Sequence, residues 1–176
     1  MRFQFAFIAV AVLATSTAIA DGTLDESKAI EKIELLGGKV KRDDTLPGRP
    51  VVMINLQGSK RFNDRYIWLL KSFTRLTKLN LNGTAITDEG LKEVGNLKAL
   101  TMLGLSSTTV TDKGLNEIRN LTLLNVLFIR DTATTDVGVN ALKVSLLSLK
   151  VKREEVVSPA KPIWFDAPGK YAPEVR

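Results

Sequence analysis

The stretch Leu79-Asn80-Leu81-Asn82-Gly83-Thr84-Ala85-Ile86-Thr87-Asp88-Glu89-Gly90-Leu91 returns 24 residues later as LGLSSTTVTDKGL (103–115). It returns again as LFIRDTATTDVGV (127–139). Such self-similarity at a fixed period marks a repeat architecture, in which one structural unit is copied and stacked. Aligned from Leu76, Leu100 and Leu124, apolar residues recur at constant offsets. Leu76, Leu79, Leu81, Ile86, Leu91, Val94 and Leu97 match Leu100, Leu103, Leu105, Val110, Leu115, Ile118 and Leu121. The third copy supplies Leu124, Leu127, Ile129, Val139 and Leu142, with Thr134 and Ser145 where the pattern calls for bulk. An earlier copy, Val51, Ile54, Leu56, Phe62, Ile67, Leu70 and Phe73, fits with one extra residue near Lys60. The units span 51–75, 76–99, 100–123 and 124–147.

Each unit carries two periodicities. Leu79-Asn80-Leu81 alternates, as a short strand does, whereas Leu91, Val94 and Leu97 are spaced as one face of a short helix. Strand and helix in turn, joined by connections too short for hairpins, predict parallel strands and right-handed crossovers. Neither element buries its apolar face alone; stacked copies do, because the leucines of each unit cover those of the next.

The pattern L-x-x-L-x-L-x-x-T-x-[IV]-T-D-x-G-L-x-x-[IV]-x-x-L, carried by 76–97 and 100–121, resembles the leucine-rich repeat family in the 24-residue form of exported bacterial proteins. The resemblance implies an α/β solenoid, with short strands on a concave side and helices on a convex side. It also implies a protein-interaction scaffold without catalytic residues; no metal or cofactor is expected.

Two polar positions recur. Asp64, Asp88, Asp112 and Asp136 form one ladder, open to reading as a metal or acid–base row or as helix caps. Each stands directly before a helix, where a carboxylate meets free N–H groups and the positive end of the dipole, so capping is expected. Thr84, Thr108 and Thr132, with Ser59, form the other, their hydroxyls expected to bond the backbone of the turn. Asn82-Gly83-Thr84 and Asn120-Leu121-Thr122 match a glycosylation pattern that repeats rich in Asn, Leu and Thr produce by chance.

An open stack exposes its core, so both ends need covering. Before the repeats, Ala29, Ile30, Ile33 and Leu36 have helical spacing within 24–36, Gly37-Gly38 stops the helix, and 39–42 reads as a short strand. Residues 21–50 are therefore a predicted capping helix and strand. After the repeats, 148–176 reads as a cap or a proline-rich tail: prolines at 159, 162, 168 and 173 oppose regular structure, and Trp164, Phe165 and Tyr171 supply apolar bulk to fold back over Leu146, Leu147 and Leu149, or to dock elsewhere.

The first 20 residues differ from the rest. Arg2 is followed by an apolar run from Phe3 to Leu13 broken only by Gln4, and Ala18-Ile19-Ala20 offers small residues for a signal peptidase. The run is shorter than the roughly 20 residues that span a bilayer. A cleaved signal peptide, export to the periplasm or beyond, and no stable membrane span are expected. The whole chain has no cysteine and no histidine, which removes disulfides, thiol nucleophiles, the commonest general base and the commonest zinc ligand.

If the leucines face inward, the strand residues between them face out. The expected binding face is Met53, Asn55 and Gln57; Lys78, Asn80 and Asn82; Met102, Gly104 and Ser106; and Val126, Phe128 and Arg130. Aromatic residues and arginine are enriched at interface hot spots, which singles out Phe128 and Arg130. Four strands about 4.8 Å apart span under about 20 Å. The face is thus smaller than the roughly 800 Å² that a standard interface takes from each partner, so loops, tail or further copies must contribute.

The expected partner is a protein. An acidic envelope polymer or polysaccharide is the alternative, attracted by Lys39, Lys41, Arg42, Lys150, Lys152 and Arg153, although Asp43, Asp44, Glu154 and Glu155 offset those clusters within a Debye length. Nucleic acid is not expected. A carboxylate hydrolase is less favoured again, since the face holds no acid except Asp131 at its border.

Overall fold

The computed structural model describes residues 25–153. The signal-peptide reading of 1–20 and the tail reading of 154–176 lie outside the described residues. Among the described residues six strands, β1 (Lys39–Arg42), β2 (Val51–Asn55), β3 (Lys78–Asn80), β4 (Met102–Gly104), β5 (Val126–Phe128) and β6 (Lys150–Lys152), form one sheet in sequence order. β1 runs antiparallel to β2, and every later pair is parallel. Ile54, Leu79, Leu103, Leu127 and Val151 stand side by side in register. The period of the sequence has become the spacing of the sheet.

Between the strands lie a 3-10 helix (Asp64–Ser72), α2 (Asp88–Val94), α3 (Asp112–Glu117) and α4 (Asp136–Ser145), each packed on the next. One continuous core joins the repeat leucines from Leu56 and Phe62 to Leu142, Leu146 and Leu149, nearly all below a tenth exposed. At the β1 end, α1 (Glu26–Leu35) starts at Asp25, whose carboxylate accepts the Ser27 N–H, and contributes Ala29, Ile33 and the following Leu36 to that core. Gly37 has φ 87°, a backbone turn that ends the helix as the sequence predicts.

The aspartate ladder does not cap its own helices. The caps are the preceding Asn63, Thr87, Thr111 and Thr135, whose side-chain oxygens accept N–H groups of the first turn. Each aspartate instead reaches forward one repeat. Thr87 donates both its N–H (3.0 Å) and its hydroxyl (2.6 Å) to Asp64. Thr111 does the same to Asp88 (2.8 and 2.7 Å), and Thr135 to Asp112 (2.7 and 2.6 Å). The threonine that caps one helix is oriented by the carboxylate of the helix before it. Asp136 has no following threonine and pairs with Arg153 Nη1 at 2.7 Å.

This clamp explains the glycine of the T-D-x-G-L motif. A Cβ at Gly90, Gly114 or Gly138 would overlap the Oδ1 of Asp64, Asp88 or Asp112. The threonine ladder behaves as predicted: Thr84, Thr108 and Thr132 donate to the carbonyls of Leu81 (2.7 Å), Leu105 (2.6 Å) and Ile129 (2.8 Å). Ser59, in the longer first repeat, donates to Leu36 O and so ties that repeat to the end of α1.

At the far end the sheet runs further than the sequence reading allows. Residues 150–152 were not expected to continue the repeat, yet β6 pairs in parallel with β5. Val151 occupies the position of Leu127, and Leu146 and Leu149 are buried while Leu147 is 91% exposed.

Candidate protein-binding face

The second face of the sheet carries two rows. Met53, Lys78, Met102, Val126 and Lys150 lie in one register row, and Asn55, Asn80, Gly104, Phe128 and Lys152 in the next. Alternation therefore assigns all the expected strand residues to the side away from the leucine core. It does not make them exposed. Met53, Met102, Val126 and Phe128 form a second apolar cluster, with Met102 only 1% and Phe128 8% exposed. Gly104 and Asn80 are buried as well. Phe128, expected to be a solvent-facing anchor, is shielded among apolar neighbours and is not free of partners. Alternation fixes which way a side chain points, not what lies above it.

The polar residues of the face are largely committed to the structure. Asn80 accepts the Asn82 N–H at 3.0 Å and donates to Gln57 Oε1 at 3.2 Å. Asn55 accepts the Gln57 N–H at 3.0 Å. Asn82 Oδ1 accepts the Ser106 N–H (2.8 Å), and the Ser106 hydroxyl accepts the Arg130 N–H (3.1 Å). These side chains stitch one turn to the next along the C-terminal edge of the strands. Buried polar groups must be paired, and here they pair with one another. Arg130 Nε meets Asp131 Oδ2 at 3.2 Å, so the border acid expected from sequence is held by a neighbouring cation.

Beside Met53 and Lys78, the β1–β2 loop folds up to form a groove of about 680 Å³ that the sequence does not reveal. Its lining combines apolar Leu46, Val52, Met53 and Ala99 with charged Lys41, Arg42, Asp43, Asp44, Arg75 and Lys78. The loop is braced internally. Thr45 donates its hydroxyl (2.6 Å) and N–H (3.0 Å) to Asp43, and these bonds, with Lys41 nearby, hold the Asp43 carboxyl below the usual carboxylate range. Arg49 pairs with Asp44 at 2.6 Å, and Arg42 pairs with Glu26 at 2.8 Å while donating to Arg49 O. The only sequence signal was length: Pro47, Gly48 and Pro50 lie in a connection longer than a tight hairpin needs.

Among the described residues no group of three or more acidic, histidine or cysteine side chains is placed to hold a metal, and no helix is long and apolar enough to cross a membrane.

No protein-family model matches the sequence, and no curated protein matches it. Among solved structures, leiomodin-1 actin-binding site 2 is similar with a TM-score of 0.50 and 16% identity, covering 74% of this chain and 79% of that one. Two Listeria monocytogenes str. 4b F2365 proteins also align. Internalin C2 does so at 25% identity and a TM-score of 0.40, over 47% of this chain and 34% of that one. Internalin InlF does so at 21% identity and a TM-score of 0.34, over 47% and 29%. The chain thus spans about a third of the internalins it resembles. The parallel register, the 24-residue period and the leiomodin likeness together identify an α/β fold of the leucine-rich repeat type.

Proposed function

We propose that this chain is an exported, non-catalytic leucine-rich repeat module that binds an extended segment of another protein along its sheet face and the adjoining groove. On this reading the crossovers are right-handed, as parallel strands joined by helices almost always are, and α1 with β1 caps the first repeat.

The observation that carries the reading is the groove itself. A lining that combines apolar Leu46, Val52 and Met53 with side chains of both charge signs suits a polypeptide that carries apolar and charged residues side by side. Being concave, the groove adds contact area that the narrow sheet lacks. An acidic polymer draws some support from Lys150 and Lys152, both exposed on edge strand β6. Against it, Arg42 and Arg153 are already paired with Glu26 and Asp136.

Panning a random peptide library on the purified chain tests the reading. The expected result is enrichment of peptides with one or two apolar residues flanked by charge, and loss of their binding with Leu46→Asp or Lys78→Glu. Leu46 is more than a third exposed and Lys78 is half-buried, so neither change should unfold the chain. No saturable binding, or binding unchanged in both variants, contradicts it. Export is tested separately, by cell fractionation and by the N-terminus of the recovered protein, expected at Asp21.

A further inference from the structure

The outer side of α4 departs from the pattern that α2 and α3 keep. Val139 and Leu142 turn the inner side of α4 to the core, while Val137, Ala141 and Val144, spaced i, i+4 and i+7, fall together on the opposite side. There Val137 is 78% and Val144 77% exposed, and Ala141 and the following Leu147 are exposed as well. One repeat back, the positions of Val137, Ala141 and Val144 hold Lys113, Glu117 and Asn120; two repeats back they hold Glu89, Glu93 and Asn96. Charge and amide are what a water-facing helix surface calls for. A run of exposed apolar side chains in their place marks an interaction surface.

We infer that two copies of this chain meet through α4, packed antiparallel across a two-fold axis. The stripe is its own complement. Reversing α4 about a point between Asn140 and Ala141 sets Val137 of one copy opposite Val144 of the other, and the pairing occurs twice, as an isologous interface requires. The two valines stand about 10.5 Å apart along the helix, with Ala141 between them, small enough for the helices to approach closely. The charges agree. Asp136 and Lys143 each precede one of the valines and share one flank of the stripe, so reversal brings Asp136 of one copy toward Lys143 of the other, again twice. Asp136 keeps most of its side chain in solvent although it also meets Arg153, and Lys143 is exposed. The sheet opposes another simple way for copies to join. Its first and last strands among the described residues, β1 and β6, both carry Lys-Val-Lys, at 39–41 and 150–152, so edge-to-edge pairing would set like charges together. A lipid surface suits the stripe less well, because valine and alanine lack the bulk of the Trp, Phe and Leu that such helices insert, and Asp136 would face anionic headgroups. The inference does not rest on the peptide-binding reading, which concerns the sheet face away from the leucine core and its adjoining groove.

Analytical ultracentrifugation of the chain from Asp21 to Arg176 over a range of concentrations tests the inference with no other protein present. The expected mass rises from one chain toward two between micromolar and millimolar concentration. Val137→Glu and Val144→Lys both fall at exposed positions and should leave far-UV circular dichroism native. Each alone should weaken association by at least about tenfold, because it buries an unpaired charge twice across the axis. Combined in one chain they should restore most of the association, since each introduced acid then faces an introduced base on the second copy. Parallel packing would instead face like charge with like. A chain that stays monomeric up to millimolar concentration overturns the inference, even where the stripe binds anionic vesicles or another protein. Dimers that both single variants leave intact overturn it too, since the copies would then meet elsewhere. Association in the combined variant no tighter than in the single ones overturns the antiparallel pairing and the inference with it.

Discussion

Asp88 of one repeat holds Thr111 of the next through both carboxylate oxygens, Oδ1 accepting the backbone N–H at 2.8 Å and Oδ2 the hydroxyl at 2.7 Å. The same pairing joins Asp64 to Thr87 and Asp112 to Thr135. The motif residues T-D therefore act as a fastener between turns of the stack, and Thr111 remains free to cap α3 through its own oxygen, accepting the Lys113 N–H.

Removing the fastener should be expensive. Hydrogen bonds to a charged group contribute about 1.5–3 kcal/mol, so Asp88→Ala is expected to cost about 2–3 kcal/mol in urea unfolding. Exposed Glu89→Ala, one position away, should change stability by less than about 0.5 kcal/mol.

Asp64 and Gly90 compete for one space, since a Cβ on Gly90 meets Asp64 Oδ1 first and Ile86 only at 3.2 Å. Gly90→Ala and Asp64→Ala should each destabilise, and the double variant should lose less than their sum. The coupling expected for groups in such contact is about 1 kcal/mol. A double-mutant cycle by equilibrium denaturation checks it, and strict additivity would show that the two positions do not share the space.

Asp112 is held below the ordinary carboxylate range, first by the Thr135 hydroxyl, then by the Thr135 N–H, with Arg153 adding charge. A depressed folded-state value contributes stability that is complete above the unfolded carboxyl's pKa and is lost as pH falls through the folded value. Unfolding measured from pH 6 downward should thus show an acid-side loss that Thr135→Val reduces. NMR titration of the Asp112 carboxyl should move upward in that variant.

The turn after each strand needs a left-handed backbone. Gly58 (φ 74°) and Gly83 (φ 67°) supply it at no steric cost, whereas Ser107 (φ 55°) and Asp131 (φ 53°) do not. With about 1–2 kcal/mol at stake for a side chain in this region, Gly83→Ala should destabilise by about 1 kcal/mol. Ser107→Gly should stabilise slightly, part of the relief being offset by glycine's extra freedom in the unfolded chain. Thermal melts of the two variants should shift in opposite directions.

Much of the fold is readable from spacing. Period 24 fixes the register of Leu79, Leu103 and Leu127, because a slip of one residue would turn every leucine to the wrong face. Helix α1 is legible in Ala29, Ile33 and Leu36 followed by Gly37. The role of the aspartates is not, since Thr and Asp adjoin at the start of each helix and both are good caps; only the neighbouring turn shows which is which. β6 is easy to miss because Lys150-Val151-Lys152 has a single apolar residue, and its one signal is that Val151 falls 24 positions after Leu127. The candidate face is half legible. Alternation identifies Met53, Met102, Val126 and Phe128 as a set, but their depth of burial and the groove beside the β1–β2 loop are tertiary features that no local pattern encodes.

The central claim is that sequence period and spatial neighbourhood are the same thing in this chain. Methyl–methyl NOEs on leucine- and valine-labelled protein test it most directly. The account predicts an unbroken series of contacts from Leu79 to Leu103, from Leu103 to Leu127 and from Leu127 to Val151. A folded protein in which Leu103 shows no contact with either Leu79 or Leu127 would contradict it.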